Sequence, residues 1–438
     1  SMVLNSNNVH ANAKNIYLGT VVLDSASQSV IVDGVRWGSA TLDMTQASKN
    51  VKSNTTRKSK TQLILRNIKG ENTTVTAAVK ESKITGQFNT ILLNEFAKNA
   101  AGKPEVKGLS LDGKDVLLLG PDLRVSVEKL DIKDRNHSVI ENIKVEKIDQ
   151  LDSILAVIPR LTIIPNITEI VSGNLTLQGL VLTDPKVEAK IGYKDSVDKS
   201  AKKPMSIELG SALLERPDIR LTLLNEQDSA SYINWDGSKL NSYLKITNFK
   251  STPGTPVKAE QIKMFLTNFE FITAKGKKYA TNDNKLNIEL NNVLVETNGD
   301  KKMDWRTDLN ILSLDKLAFD SLGKNNAILE LDKGDVRNVA LNSKYVGSIG
   351  DIITNSSNLS INGTNGKFIN AKNTLQWYGF TVKDRSLSVD SFNLVPQQSV
   401  EEYRIAKAFN EDYLRIKTGR ISGGPVDLEK YNNDSILS

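Results

Sequence analysis

His10 and His137 are the only imidazoles in a chain of 438 residues, and cysteine is absent. That removes disulfides, thiolate metal sites and a cysteine nucleophile from consideration. A histidine acting as general base or metal ligand needs partners held beside it. His10 falls near the start of the chain, and His137 sits in "KDRNHSVIEN", which reads as a solvated turn between two strand patterns. No G-x-S-x-G, G-x-x-x-x-G-K-[ST] or G-x-G-x-x-G sequence occurs. "GRISGGP" is rich in glycine but lacks the Lys-Ser/Thr pair of a phosphate loop, so it reads as a turn after a strand. "TNDNK" and "DKGD" carry oxygens that calcium could take, yet neither has the spacing of an EF-hand loop, and hairpin turns use the same residues. No cofactor and no metal are therefore expected, and no single Asp, Glu or His is expected to be catalytic.

The whole chain is 39% hydrophobic and 25% charged, with a net charge of +6. These are ordinary values for a soluble protein. No run approaches the roughly 18 apolar residues of a membrane helix. Lys and Arg are interleaved with Asp and Glu, so the basic stripe of a nucleic-acid binder is missing. The basic stretch "KNVKSNTTRKSK" reads as a solvated loop.

What the sequence does carry is a repeated apolar pattern, h-x-h-x-x-h-x-h. It fits Leu175, Leu177, Leu180, Leu182; Met264, Leu266, Phe269, Phe271; Ile288, Leu290, Val293, Val295; and Leu387, Val389, Phe392, Leu394. It also fits Val30, Val32, Val35, Trp37 and Val125, Val127, Leu130, Ile132. Shorter versions appear at Leu63, Leu65, Ile68, at Ile143, Val145, Ile148, and at Leu244, Ile246, Phe249. Side chains alternate faces along a strand, so an unmatched slip of one residue would turn every later side chain over. A β-bulge absorbs the extra residue and bends the strand. The pattern thus predicts long, bulged antiparallel strands with one continuously apolar face.

Between residues 244 and 314 the apolar pairs recur about every 20 residues, separated by turn-like "STPGTP", "TAKGKKYATNDNK" and "ETNGDKK". The fold class expected is mainly β, curled into an elongated groove, with a few short helices between strands. Helices are expected from about Ile91 to Ala101, within "DQLDSILAVIP", at "SALLERP", and at "SVEEYRIAKAF" with Ser399 as N-cap and Glu402 closing a capping box. Two regions are expected: a β-rich segment over 1–103 ending in a short helix, and repeated β modules over 104–438.

The modules "SGNLTLQGLVLTDPKVEAKI" and "VEKLDIKDRNHSVIENIKVEKI" resemble the repeat units of AsmA-like proteins of the bacterial envelope. The stretch "LSVDSFNLVPQQSVEEYRIAKAFNEDYLRIKTGRISG" is similar to a segment of such proteins of the Bacteroidetes type. The resemblance implies a β-groove that transfers lipid as a bridge, non-enzymatic and periplasmic. Its inner face would hold the acyl chains of a phospholipid or related lipid. The lining would be the h positions from Leu175 to Leu182, Leu244 to Phe249, Met264 to Phe271, Ile288 to Val295 and Leu387 to Leu394. It also implies an inner-membrane anchor ahead of the groove. Nucleic acid is not an expected partner. The alternatives are a structural or adhesive β-repeat surface protein, and a carbohydrate-active enzyme, for which the 6% aromatic content is low.

Overall fold

The computed structural model describes residues 2–5, 9–24, 29–45, 62–79, 81–98, 104–148, 152–192, 205–225, 229–238, 241–276, 278–280, 285–297, 303–322, 327–345, 351–352, 355–356, 358–383, 385–406 and 413–425. The fold is mainly β, with 75% strand against 4% helix, and it is built of repeated, like-patterned strands. The chain divides into two compact units. One is Ser1–Glu215 with Phe249–Pro253; the other is Arg216–Asn248 with Gly254–Ser438. The strands on either side of residue 103, Ser82–Lys98 and Pro104–Lys107, pair with each other within the first unit.

The first unit is a meander. Strands Gln62–Val79, Ser82–Lys98, Ser110–Leu119, Leu123–Lys133, Ser138–Ile148 and Ser153–Pro165 each pair antiparallel with the next. The stretch "LTLQGLVLTDPKVEAKI" is two strands on one partner. Leu175–Thr183 lies against the second half of Ser153–Pro165, and Lys186–Ile191 lies against the first half. The break falls at Asp184, which has φ +52°, and at the buried Pro185.

Two pairings depart from the antiparallel expectation. Ile207–Glu215 runs parallel to Leu175–Thr183, and Ser29–Asp33, Arg36–Trp37 and Ser39–Thr45 run parallel along Gln62–Val79. A parallel pair needs a crossover of a dozen residues or more, which a short hairpin cannot supply. In the sequence, residues 184–206 and 46–61 separate the paired strands.

In the second unit Asp218–Leu224 pairs with Ala230–Asp236, and that strand pairs with Phe269–Ile272. A longer meander runs through Val257–Leu266, Lys285–Thr297, Met303–Leu322, Ala327–Asn342, Ser360–Ile369, Asn373–Lys383 and Ser386–Pro396. The 20 residues of Met303–Leu322 far exceed the usual strand of about 5–6.

The alternation slip is a β-bulge in some pairings, as expected, with register shifts where Leu177 and Gly179 meet Ser153–Pro165 and at Asn291/Leu294; in other pairings it has a different form. Val127 lies opposite Ile143 and Leu130 opposite Ile140, so both strands skip together and the register is unbroken. The same is true where Ile262 faces Leu290 and Ala259 faces Val293. True register shifts are local, as at Asn291/Leu294 against Met303–Leu322. The residue just before the resumed apolar position is often a left-handed asparagine: Asn67, Asn142, Asn248, Asn268, Asn292 and Asn338 all have φ between +49° and +57°. Asparagine tolerates that conformation better than most residues. Four of them reach a carboxylate on the adjacent strand. Asn67 donates to Asp33 (2.8 Å), Asn142 to Glu128 (2.6 Å), Asn292 to Asp308 (2.7 Å), and Asn248 to Glu260.

Three expected helices are strands. Residues 91–98 belong to Ser82–Lys98, "SILAVIP" to Ser153–Pro165, and "SALLE" to Ile207–Glu215. The apolar step of three, as from Leu93 to Phe96, is shared by a helix face and a slipped strand. Here Leu93 faces Ile68 and Phe96 faces Leu65 across the sheet. Residues 99–103 lie outside the described residues.

Two short helices are described. In Val400–Ala406 the capping box forms, with the Glu402 N–H donating to Ser399 Oγ (3.2 Å) and the Ser399 N–H donating to Glu402 Oε2 (2.8 Å). That backbone bond holds the Glu402 carboxyl below its usual pKa. Ile167–Val171, a helix not expected from the sequence, sits between two strands. Asn166 caps it, Asp134 accepts from the Ile167 N–H (2.9 Å), and the Thr168 hydroxyl donates to the Val106 carbonyl.

Candidate functional site

Cross-strand register places the apolar residues. Residues directly opposite each other share a face of the sheet. In the second unit one such row runs Met264, Ile288, Leu312, Val336, Ile361, Val382, Leu387, without a polar interruption across seven strands. The neighbouring row takes Leu266, Leu286, Leu314, Gly334, Gly363, Phe380 and Val389. Leu290 faces Ile262 and Leu309, Val293 faces Ala259, and Val295 faces Val257 and Trp305. Phe269 lies opposite Trp235, and Phe271 opposite Ile233. Phe392 faces Trp377, and Leu394 faces Leu375 and Ile416.

The first unit has its own apolar face. Leu182 lies beside Leu161 and Leu214, Leu180 beside Ile163 and Ala212, Leu177 beside Pro165 and Leu209, and Leu175 beside Ile207. On Tyr243–Ser251, Leu244 and Ile246, which belong to the second unit, and Phe249, which belongs to the first, are half-buried, while Lys245, Asn248 and Lys250 are exposed.

Most of these residues are only half-buried. A packed interior would bury them nearly completely. Among the described residues of the second unit, Leu309, Val339 and Leu359 form one buried cluster, with Ile288, Leu290, Leu312, Val336, Leu341, Ile352 and Ile361 packed around them, while Trp235, Ala259, Leu266 and Ala327 are buried outside it. In that cluster Ile352 and Leu359, from between Ala327–Asn342 and Ser360–Ile369, pack onto the sheet. Nearby, Ser356 Oγ accepts from the Ala340 N–H (3.0 Å).

Beyond that patch lies a depression of about 350 Å³ lined by Leu375, Trp377, Phe380, Val389 and Phe392. Its size falls within the roughly 300–1,000 Å³ of small-molecule sites. Two glycines shape its floor. A Cβ on Gly366 would stand 2.0 Å from Trp377 Cζ2, and one on Gly363 would stand 2.6 Å from Phe380 Cδ1. Both rings therefore sit against the bare backbone of the adjacent strand. Gly366→Ala is accordingly expected to lift the Trp377 ring and lower stability by about 1–3 kcal/mol. Urea unfolding measures this, and an unchanged midpoint would mean that the ring does not rest on the glycine.

The opposite face is polar. In the first unit Glu141 lies between Lys129 (3.7 Å) and Arg160 (3.9 Å), and Glu95 between Lys107 (2.7 Å) and Arg66 (3.0 Å). The Lys107 hydrogen bond, aided by Arg66, holds the Glu95 carboxyl below its usual pKa. In the second unit a depression of about 680 Å³ follows the slip, with a mixed lining that takes its polar part from Asn248, Lys258, Glu260, Asn292, Arg306 and Asp308 and its apolar part from residues such as Val293, Leu294 and Leu341. Its carboxylates accept bonds from the asparagines that form the slip.

The residues singled out for chemistry do not converge. His137 is exposed in its turn, where its N–H donates to Asn136 Oδ1 (2.8 Å). His10 lies on the paired strand Val9–Lys14. In "DKGD", Asp332 accepts from Asn365 and Asp335 from Asn362 and Arg337. "KNVKSNTTRKSK" and most of "TNDNK" lie outside the described residues. Among the described residues no group of three or more His, Asp or Glu side chains could hold a metal ion. No helix among them is long and apolar enough to cross a membrane.

No family model, no curated protein and no solved structure matches this chain.

Sequence reasoning did not single out Trp377, Phe380 or Leu375. They lie on Asn373–Lys383, where "LQWYGF" has the same apolar step of three, from Trp377 to Phe380, with Gly379 at φ +52° in the slot that asparagine fills elsewhere. That signal was present in the sequence.

Proposed function

We propose that this protein is a non-enzymatic lipid holder whose apolar faces take the acyl chains of a phospholipid or similar lipid. The observation that carries the reading is the row from Met264 to Leu387. It is apolar across seven strands, backed by a polar opposite face, and left largely half-accessible. Acyl chains would restore the burial that a single sheet cannot provide, at about 25 cal/mol per Å² of apolar surface covered. The likeness of its modules to AsmA-like envelope proteins agrees with this and extends the proposal to the periplasm, with attachment to the inner membrane. The packing of Ile352 and Leu359 against Leu309 and Val339 favours a second reading, a structural β-repeat that covers its own apolar face.

Native mass spectrometry of the purified protein separates the two. A lipid holder is expected to carry co-purifying lipid masses that delipidation removes and added phospholipid restores. Bare protein before and after phospholipid addition would reject lipid holding and leave the structural reading.

A further inference from the structure

Among the described residues the strand Thr20–Asp24 is an edge, paired with Ser29–Asp33 alone. The companion strand Val9–Lys14, by contrast, has Met2–Asn5 on one side and Ser39–Thr45 on the other. On a strand with one neighbour, alternate residues turn their backbone N–H and C=O groups outward. Natural proteins blunt such edges with lysine, proline, bulges or a covering loop. This one reads Thr-Val-Val-Leu-Asp and carries none of those residues. It is also greasy on both faces: Leu23 is 78% exposed and Val21 57%, and Val22, Leu18 and Tyr17 are exposed as well.

The apolar face of the first unit runs out to this edge. Val21 lies opposite Val32, and Val32 beside Leu65; Leu23 lies opposite Val30, and Val30 beside Leu63.

We propose that Thr20–Asp24 pairs with the same strand of a second copy, antiparallel, about a two-fold axis through Val22. The sequence is self-complementary in that register. Val22 faces Val22 of the other copy, Val21 faces Leu23, and Thr20 faces Asp24, so no like charges are opposed. Val21 and Leu23 of both copies then share one face, which joins the two apolar faces into one. The interface is small. A five-residue edge buries less than the roughly 1,200 Å² of a standard interface, so the dimer dissociates on dilution. This inference does not depend on lipid being the ligand.

Because the chain has no cysteine, Val22→Cys reports on the pairing directly. Opposed Cβ atoms lie about 4.5–5.5 Å apart in such a pair, close to disulfide reach. Mild oxidation of Val22→Cys is expected to give a linked dimer, with Leu119→Cys, an exposed site at a strand end, staying monomeric. Sedimentation of the unaltered chain is expected to show a monomer–dimer equilibrium that Val22→Lys abolishes while the β-sheet circular dichroism is kept. Three outcomes overturn the proposal: a monomer at every concentration, a dimer that survives Val22→Lys, or linkage of Val22→Cys no greater than that of Leu119→Cys. A monomer that nonetheless binds a strand of another protein at this edge would also refute the second copy as the occupant.

Discussion

Val389→Asp is expected to weaken binding of a fluorescent fatty acid at least about 100-fold, or roughly 2.7 kcal/mol at 1.36 kcal/mol per tenfold, while the protein stays folded. Val389 is half-buried and lines the depression with Trp377 and Phe392, so in the empty protein a carboxylate there keeps part of its water. An acyl chain laid over it would strip that water and offer no partner, a cost of several kcal/mol. Leu309→Asp is the counterpart. Leu309 is 7% exposed and packed between Val339 and Leu359, so its charge loses hydration on folding itself. That variant is expected to lose several kcal/mol of stability and to unfold the second unit at room temperature. Thermal melts and fatty-acid titrations of both variants, beside the unaltered protein, distinguish the sites. Equal loss of stability in the two would mean that the depression is a closed core, and full binding by Val389→Asp would place the ligand elsewhere.

The second large effect is expected from Asn292→Val. Asn292 holds φ +53° and donates to Asp308 at 2.7 Å. A left-handed conformation costs an ordinary residue about 1–2 kcal/mol, and a β-branched one more. With the lost hydrogen bond, Asn292→Val is expected to cost about 2–3 kcal/mol. Asn292→Gly removes the same bond but fits the conformation, so it is expected to cost about 1 kcal/mol or less. Urea midpoints at constant m-value give both numbers. If valine is no worse than glycine, the slip does not depend on a left-handed residue.

The strands were legible because alternation is a local property. Leu175, Leu177, Leu180 and Leu182 do share a face, and the slip between Leu177 and Leu180 does not turn the later pair over. The cause of the slip was legible too, in "RNI", "ENI", "TNF", "NNV" and "RNV", but apolar patterning treats the intervening residues as blanks. Ile91–Ala101 was misread because Leu93 and Phe96 fit two periods equally well. A partner strand decides between them, and Ile68 and Leu65 are some 25 to 30 residues away in sequence. The parallel pairings could not be read, since direction depends on where a crossover lands. The seat of Trp377 on Gly366 depends likewise on register between two strands.

From Met303 to Pro396 each strand pairs with the strands before and after it in the chain, and the described residues bury only a small common core. Stability in such a string is mostly a sum of neighbour terms, so the array need not melt as one. Pulled from its C-terminal end, it should open hairpin by hairpin, in a sawtooth of small force peaks. The patch around Leu309, Val339 and Leu359 would then be the knot that gives way last.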